Sequence, residues 1–562
     1  VGVALAGAAL AADARQRVAA ALDLPPSRVQ LVVDSALLKD ADKLPRGAGA
    51  VVHVVLARPA EVEQKFLAAA GKEAFEDLAQ AESLTLRGKG LAALPDRLGE
   101  LAGLSSLQLQ QNQLADLPRS FHQLSSLLSL NLQRNKLEVL PREFGRLAAL
   151  RTLDLQHNHL RALPEGFGQL AALQFAYLQH NKLAALPDGF GELAALQVLE
   201  VQHNSLATLP ESFGRLSALK KLHAEHNCLA ALPRSFNQLG ALQALTLQRN
   251  KLLELPEGFG RLAALQSLNV QRNKLEALPG SFGRLAALHT LDLQYNNITA
   301  LPMNFGRLLA LQTLLLQGTK LQSLPKNVGQ LLGLRTLFLH DNGVAELPEG
   351  FGLLAVLQRL EMPRNQLTTL PESFGRLASL EALNLQDNQI SRLPGGFCQL
   401  PALHTLELAQ NRLRSLPDEL GQLATLQDLD VHGNQLHSLP ASIGQLAALE
   451  VAYLQDNHIT SLPDGICQCR ALRRLYLQHN RLTSLPRAFG RLAALEELDV
   501  QHNRLKALPE GFGELGRLET LFFEGNDLSI LPKSFGSFAT LPMMDLTVRL
   551  VGEQWVCSRQ GY

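Results

Sequence analysis

The chain has 562 residues, with 52 basic and 52 acidic side chains and no formal net charge. That balance argues against bulk electrostatic attachment to nucleic acid or to an anionic membrane surface. Hydrophobic residues make up 46% and charged ones 19%, a composition that folds around a core. No run of about 18 apolar residues occurs, so no membrane span is expected. Five cysteines in a chain this long do not make a disulfide framework.

Residues 1–59 read as a domain of their own. Short strands are expected in residues 1–10, a helix in 14–22 ended by Pro25-Pro26, and strands at Val29–Val33 and 50–56. The order strand, strand, helix, strand, strand predicts a β-grasp domain. The run Leu24-Pro25-Pro26-Ser27-Arg28-Val29-Gln30-Leu31-Val32-Val33 is followed by Leu38-Lys39-Asp40, Leu44 and Val52-His53-Val54-Val55-Leu56. This run resembles ubiquitin-like domains. The resemblance implies that Val32, His53 and Val55 stand at the family's hydrophobic recognition patch. The first hairpin is short and lacks the patch leucine. Chain continues past Ala57-Arg58-Pro59 where a free diglycine would stand, so conjugation is not expected. The alternative is a small α+β cap with no ubiquitin-like role.

Residues 60–80 read as a linker with a short amphipathic helix over 60–79, its apolar side made by Val62, Phe66, Leu67, Ala70 and Phe75. It is expected to cover the N-terminal end of the repeats that begin at residue 81.

From residue 81 the chain repeats every 23 residues. Asn recurs in that phase from Asn112 to Asn526, nineteen positions with Thr319 the single exception. Pro recurs from Pro95 to Pro532, at all twenty positions. An unbroken period of this length is the mark of a solenoid of about 20 units. One unit runs from Leu150 to Ala172. Leu153 and Leu155 alternate with polar residues, which predicts a strand. Leu160, Leu163, Phe167 and Leu170 are expected to fill the coil interior. Pro164 blocks propagation of regular structure, and Gly168 is expected to let the chain turn. The Asn amide is expected to bond backbone groups of the turn.

The pattern LxxLxLxxNxLxxLPxxFGxLxx resembles the leucine-rich repeats over residues 82–549. Its LP…FG form resembles the intracellular Ras-group proteins of plants and the Ras-pathway scaffolds of animals. The resemblance implies an α/β fold: a right-handed superhelical solenoid with a parallel concave sheet that binds proteins without catalysis. Atypical end units are expected. The first has Lys89 at the Asn place. The last has Met544, Leu546 and Val548 in strand phase and Arg549 at the Asn place, leaving 550–562 as a tail.

Residues between the inward leucines, such as Thr152, Asp154, Gln156 and His157, are expected on the concave surface. Gln recurs at the third of these places, a neutral lane in which adjacent amides could bond one another. Departures from this background mark candidate contacts. Tyr177, Glu200, His203, His223 and His226 form one group, with Arg249 and Arg272 a basic pair beside them. Phe338, Tyr453, Tyr476 and Phe522 are aromatic candidates of the kind that anchor interfaces. Local repacking around Ala176 and Ala452 is the competing explanation for the aromatics.

A line of histidines does not converge as zinc requires, so no metal is expected. No phosphate loop, HExxH or GxSxG occurs, and no cofactor is expected. Cys398 and Cys467 replace the Gly after the repeat Phe and read as packed residues. The absence of cysteine-clustered caps points to reducing, intracellular surroundings, with the cytoplasm favoured. The expected function is a non-enzymatic scaffold that binds one or more proteins, with no nucleic acid and no membrane insertion. The alternatives are a ubiquitin-pathway adaptor acting through residues 1–59 and a structural subunit of a large assembly.

Overall fold

A computed structural model of the chain describes residues 60–528 and 531–538 in full. It describes the backbone alone of 29–33, 36–37, 53–56, 59, 543–544, 547–551 and 554–558. Residues 1–273 and 274–562 form two compact units.

Near the start of the first unit, β1 (Val29–Val33) pairs antiparallel with β2 (Ala36–Leu37) and β3 (His53–Leu56). The strands and helix expected in residues 1–22 lie outside the described residues. Helix α1 (Pro59–Ala70) is followed by a 3-10 turn at Phe75–Leu78, so the helix stops nine residues short of the expected 79. Gly71 at φ 67° follows its last residue, the left-handed exit that glycine adopts without strain. Phe66 and Phe75 are buried and stack 6.1 Å apart. Arg97, on the first repeat, reaches Glu63 of α1 at 3.3 Å and Glu76 at 3.0 Å, and lies over the Phe75 ring. These contacts fasten α1 to the repeats.

Each repeat, or rung, contributes one three-residue strand. Nine strands from Ser83–Thr85 to Ser267–Asn269 make a parallel sheet in the first unit. Twelve, from Thr290–Asp292 to Met543–Met544, make one in the second. Every pair is offset by one period, as in Leu130 opposite Leu153. Leu150, Leu153, Leu155, Leu160, Phe167 and Leu170 are fully buried in the rung that spells the template. Pro164 sits at φ −65°, ψ 150° and starts a 3-10 turn, Glu165–Gln169. Its carbonyl accepts the Phe167 N–H at 2.9 Å. Successive Phe rings stack 5.8 to 6.3 Å apart from Phe121 to Phe259.

Two expectations change. Gly168 lies in the 3-10 turn, but its reason is a close approach: a Cβ there would lie 2.0 Å from the carbonyl oxygen of Gly189. Glycine is needed because the next rung's backbone passes that close. Where Cys398 takes this place, the turn ends in an extended residue, Leu400 at ψ 94°. At the C-terminal end, Thr547–Val551 pairs antiparallel with Gln554–Ser558. Val548 and Arg549, read as part of a last rung, are in that hairpin.

The Asn ladder closes each turn. Asn158 donates to the carbonyls of Leu132 and Leu155 at 3.0 and 2.9 Å and accepts the Leu137 N–H at 3.0 Å. Thr319 replaces this with a hydroxyl that bonds Leu316 O at 3.1 Å and Asn342 Oδ1 at 2.6 Å. Among the described residues nothing accepts the Ile298 N–H, the group an Asn at 319 would bond. Asn158→Ala is expected to cost about 3 kcal/mol by stranding buried backbone groups. Thr319→Asn is expected to gain about 1 kcal/mol. Chemical unfolding of the two variants checks both signs.

Candidate interaction surface

The outer face of each sheet is built by the first and third residues of each strand, because the middle residue points into the core. On Thr152–Asp154 the exposure runs half-buried, buried, half-buried. The third residues form a continuous row.

In the first unit this row brings together Asp154, Tyr177, Glu200 and His223, each one register step from the next. Burial, then Glu200 and Asp154, pushes the Tyr177 phenol up. Burial also raises Asp154, whose oxygens accept the Gln156 backbone and side-chain amides at 3.1 and 3.0 Å. His223 is within 3.0 Å of the Thr246 hydroxyl, which donates to Glu225 at 2.6 Å.

His203, His226, Arg249 and Arg272 are not on this face. They stand past the strand ends, at φ 53° to 55°, in the left-handed region. The turn before the buried Asn requires that conformation. The periodic pattern does not reveal it, since non-glycine residues rarely adopt it. The expected lane of bonded amides is likewise interrupted. Gln179 donates to Gln156 at 3.1 Å, whereas Gln156 and Gln202 donate to the carboxylates two residues back.

In the second unit the same row runs Leu315, Phe338, Glu361, Asn384, Glu407, Asp430 and on to Tyr453 and Tyr476. The Arg359 guanidinium lies 5.3 Å over Phe338 and also pairs with Glu361 at 2.8 Å. Burial, then Glu361 and Asp430, raises the Glu407 carboxyl. Asp430 meets His432 at 2.7 Å. The Tyr453 and Tyr476 rings are parallel, 4.9 Å apart, and the Tyr476 hydroxyl donates to Glu497 at 2.8 Å. Phe522 is half-buried beside Asp499. Val451 is buried, at 3% exposure, whereas Tyr453 on the same strand is half-buried.

Pattern reading missed an apolar ridge on the second unit. Leu309, Leu332 and Leu353 are 60%, 61% and 54% exposed and line one hollow with Arg307. Its signal was present: Leu353 stands where other rungs carry Arg, Gln or Glu. Val32, His53 and Val55 belong to strands whose backbone register pairs Val32 with His53 and Gln30 with Val55.

Cys398, Cys467 and Cys469 are buried, and burial pushes the Cys398 and Cys469 thiols up to about 11. Such thiols are poor nucleophiles. No cluster of three or more His, Cys, Asp or Glu suited to a metal occurs among the described residues. No helix among them is long and apolar enough to cross a membrane.

The leucine rich repeat family profile matches residues 102–160, 173–229, 401–459 and 447–505. A leucine-rich repeat region profile matches 280–365 and 326–412. Curated proteins give no match. Among solved structures the chain is similar to a TDR receptor, at 27% identity over 83% of this chain and 88% of that one, TM-score 0.63. It is similar to the plant peptide hormone receptor RGFR1 in complex with RGF2, at 27% over 78% and 81%, TM-score 0.57. It is also similar to YopM from Yersinia enterocolitica WA-314, at 27% over 81% and 86%, TM-score 0.54.

The Tyr476 phenol is pushed up to about 12, by burial first and the Glu497 carboxylate second. Absorbance titration of the chain and of Glu497→Gln is expected to show the variant's phenol ionising at lower pH, yet still above the ordinary value of about 10.

Proposed function

This chain belongs to the leucine-rich repeat proteins, and from that premise we propose that it is a non-enzymatic scaffold holding protein partners on the outer faces of its sheets. One observation carries the reading: the stacked, parallel Tyr453 and Tyr476 rings on the second unit, one tied by its hydroxyl to Glu497. Rings held this way lose little freedom on contact, which is what makes aromatic anchors efficient. Leu315 and Phe338 offer an apolar site on the same row, and Glu361, Glu407 and Asp430 lie between the two. A partner with apolar groups flanking basic ones fits that order. The similarity to a receptor solved in complex with its peptide hormone supports a polypeptide ligand.

The LP…FG template further supports an intracellular signalling setting like that of the Ras-pathway scaffolds. A ubiquitin-pathway role for residues 1–59 is a second reading, favoured by the antiparallel register of β1 with β3 that places Val32 opposite His53. Deleting residues 1–59 would abolish partner capture under that reading and leave it intact under the first.

Tyr453→Ala with Tyr476→Ala is expected to weaken partner capture by about 2 kcal/mol, near thirtyfold. Affinity purification with cross-linking mass spectrometry checks it, scoring partners whose cross-links map to the second unit's outer face. Equal recovery on wild type and variant would sink the reading.

A further inference from the structure

The zero net charge conceals a segregation. On seven successive rungs of the first unit, the residue before the ladder Asn is Arg134, His157, His180, His203, His226, Arg249 or Arg272. One residue after the Asn stand Lys136, His159, Lys182 and Lys251, all exposed. In the second unit the first of these places holds Tyr295, Gly318, Asp341, Arg364, Asp387, Gln410, Gly433, Asp456, His479, His502 and Gly525, so the template sets no charge there and only one shorter histidine pair recurs.

We propose that this lane, past the strand ends of the first unit, binds an extended acidic peptide segment and holds it more tightly as pH falls. The surface is distinct from the tyrosine-bearing face of the second unit.

The geometry supports a ligand site in three ways. First, all seven residues adopt φ 53° to 55°, a conformation that favours glycine; Gly88, Gly318, Gly433 and Gly525 show that glycine fits there. Side chains take this conformation on most rungs, as at Tyr295, Asp341 and Gln410, so what sets these seven apart is that each one can carry positive charge. Second, the four imidazoles stack face to face, with centroids 4.3, 4.4 and 4.2 Å apart and planes within 20°. Third, their ring nitrogens make no hydrogen bond among the described residues. Nor do Arg134, Arg249, Lys136, Lys182 and Lys251 make an ion pair among them.

The groups facing the ladder are few. His157 meets Arg134, His180 and Asp154. His180 meets His203, and His203 meets His226, Glu225 and Arg249. The two carboxylates have other partners, Asp154 in Gln156 and Glu225 in Thr246.

Stacking also selects the ligand. Each inner ring has a neighbour on both faces, so His180 and His203 leave no aromatic face open for a nucleobase to stack upon. What remains outward is ring edges with N–H donors, together with guanidinium and ammonium groups. Those suit carboxylates. Asp154, Glu200 and Glu225 border the lane on the sheet side, which disfavours a broad polyanion such as a duplex or a membrane surface. A single extended chain is narrow enough to avoid them.

The pH sign follows from burial. Desolvation first, and the neighbouring imidazole next, lowers His157, His180 and His203 below the ordinary value of 6.5. Near neutral pH these three rings are therefore uncharged. Their contribution to stability is present above 6.5 and is lost as pH falls through that value, because the unfolded chain takes up protons first. A bound carboxylate favours the charged rings, so by linkage peptide and protons bind together.

The test uses the full chain and an oligoglutamate peptide of about nine residues. At ~3.3 Å per residue that matches the ~29 Å from Arg134 to Arg272 at ~4.8 Å per strand. Calorimetry is expected to show binding about tenfold tighter near pH 5.5 than near pH 7.5, where glutamate stays ionised throughout. His180→Gln with His203→Gln is expected to flatten that dependence, and Arg134→Gln with Arg249→Gln to weaken binding at both pH values. Should the histidine variant fail to fold, NMR titration of the wild-type chain gives the answer, with ladder imidazoles rising in pKa on peptide addition. Tyr453→Ala with Tyr476→Ala is expected to leave this peptide's affinity unchanged, which separates the lane from the scaffold reading. Affinity independent of pH, imidazoles indifferent to the peptide, or preference for a single-stranded oligonucleotide or an anionic vesicle would overturn the proposal.

Discussion

Everything in this solenoid depends on one buried amide per turn. A three-residue strand is too short to satisfy the backbone on either side of it, and the chain must leave the sheet at once. The Asn side chain takes up that shortfall. At Asn158 it binds carbonyls of its own rung and the preceding one, and it accepts an N–H from the preceding rung as well. Each Asn thus locks two rungs into one relative position. A residue inserted anywhere in the 23 would carry the amide away from groups that have no other partner, and orphaned buried groups are costly. This is why the ladder runs through eighteen steps without slippage.

The same lock explains what was legible. Period, strand phase, buried leucines, the Phe stack and the Asn bonds each follow from a residue type recurring at a fixed place. What was not legible depends on where neighbouring backbones lie. Gly168 looks like a glycine chosen to bend the chain until the Gly189 carbonyl is seen beside it. His203 looks like a sheet residue because its neighbours in sequence are, and only the φ of the turn removes it from that face. Val548 continues the repeat phase, yet its strand pairs antiparallel with Gln554–Ser558. At an end of the stack there is no next rung to enforce the phase, so local pairing decides.

Copying a template has an electrostatic consequence. Residues at equivalent places stack about one strand spacing apart, so a repeated charge meets itself. The Phe and Gln rows are neutral and tolerate this. A row of cations tolerates it poorly unless the charge is conditional, and fixed charges adjoin at this place of the lane only at Arg249 and Arg272. Imidazole is the side chain that meets the condition, because burial and mutual repulsion favour its neutral form at His157, His180 and His203. Arginines, always charged, occupy the ends of the lane and leave its middle to histidine.

Aromatic and charged departures are also divided between rows. On the second unit's outer face, tyrosines and carboxylates replace small polar residues without disturbing the backbone, since the third strand residue is outside the core. Past the strand ends, a side chain must accept a left-handed backbone to be present at all. Substitution on the face is therefore cheap and on the lane it is strained. Side chains of every kind accept that backbone on other rungs, as at Tyr295, Asp341 and Gln410, so the signal on the lane is seven cation-capable residues in unbroken succession, even though tyrosine is the better anchor by area.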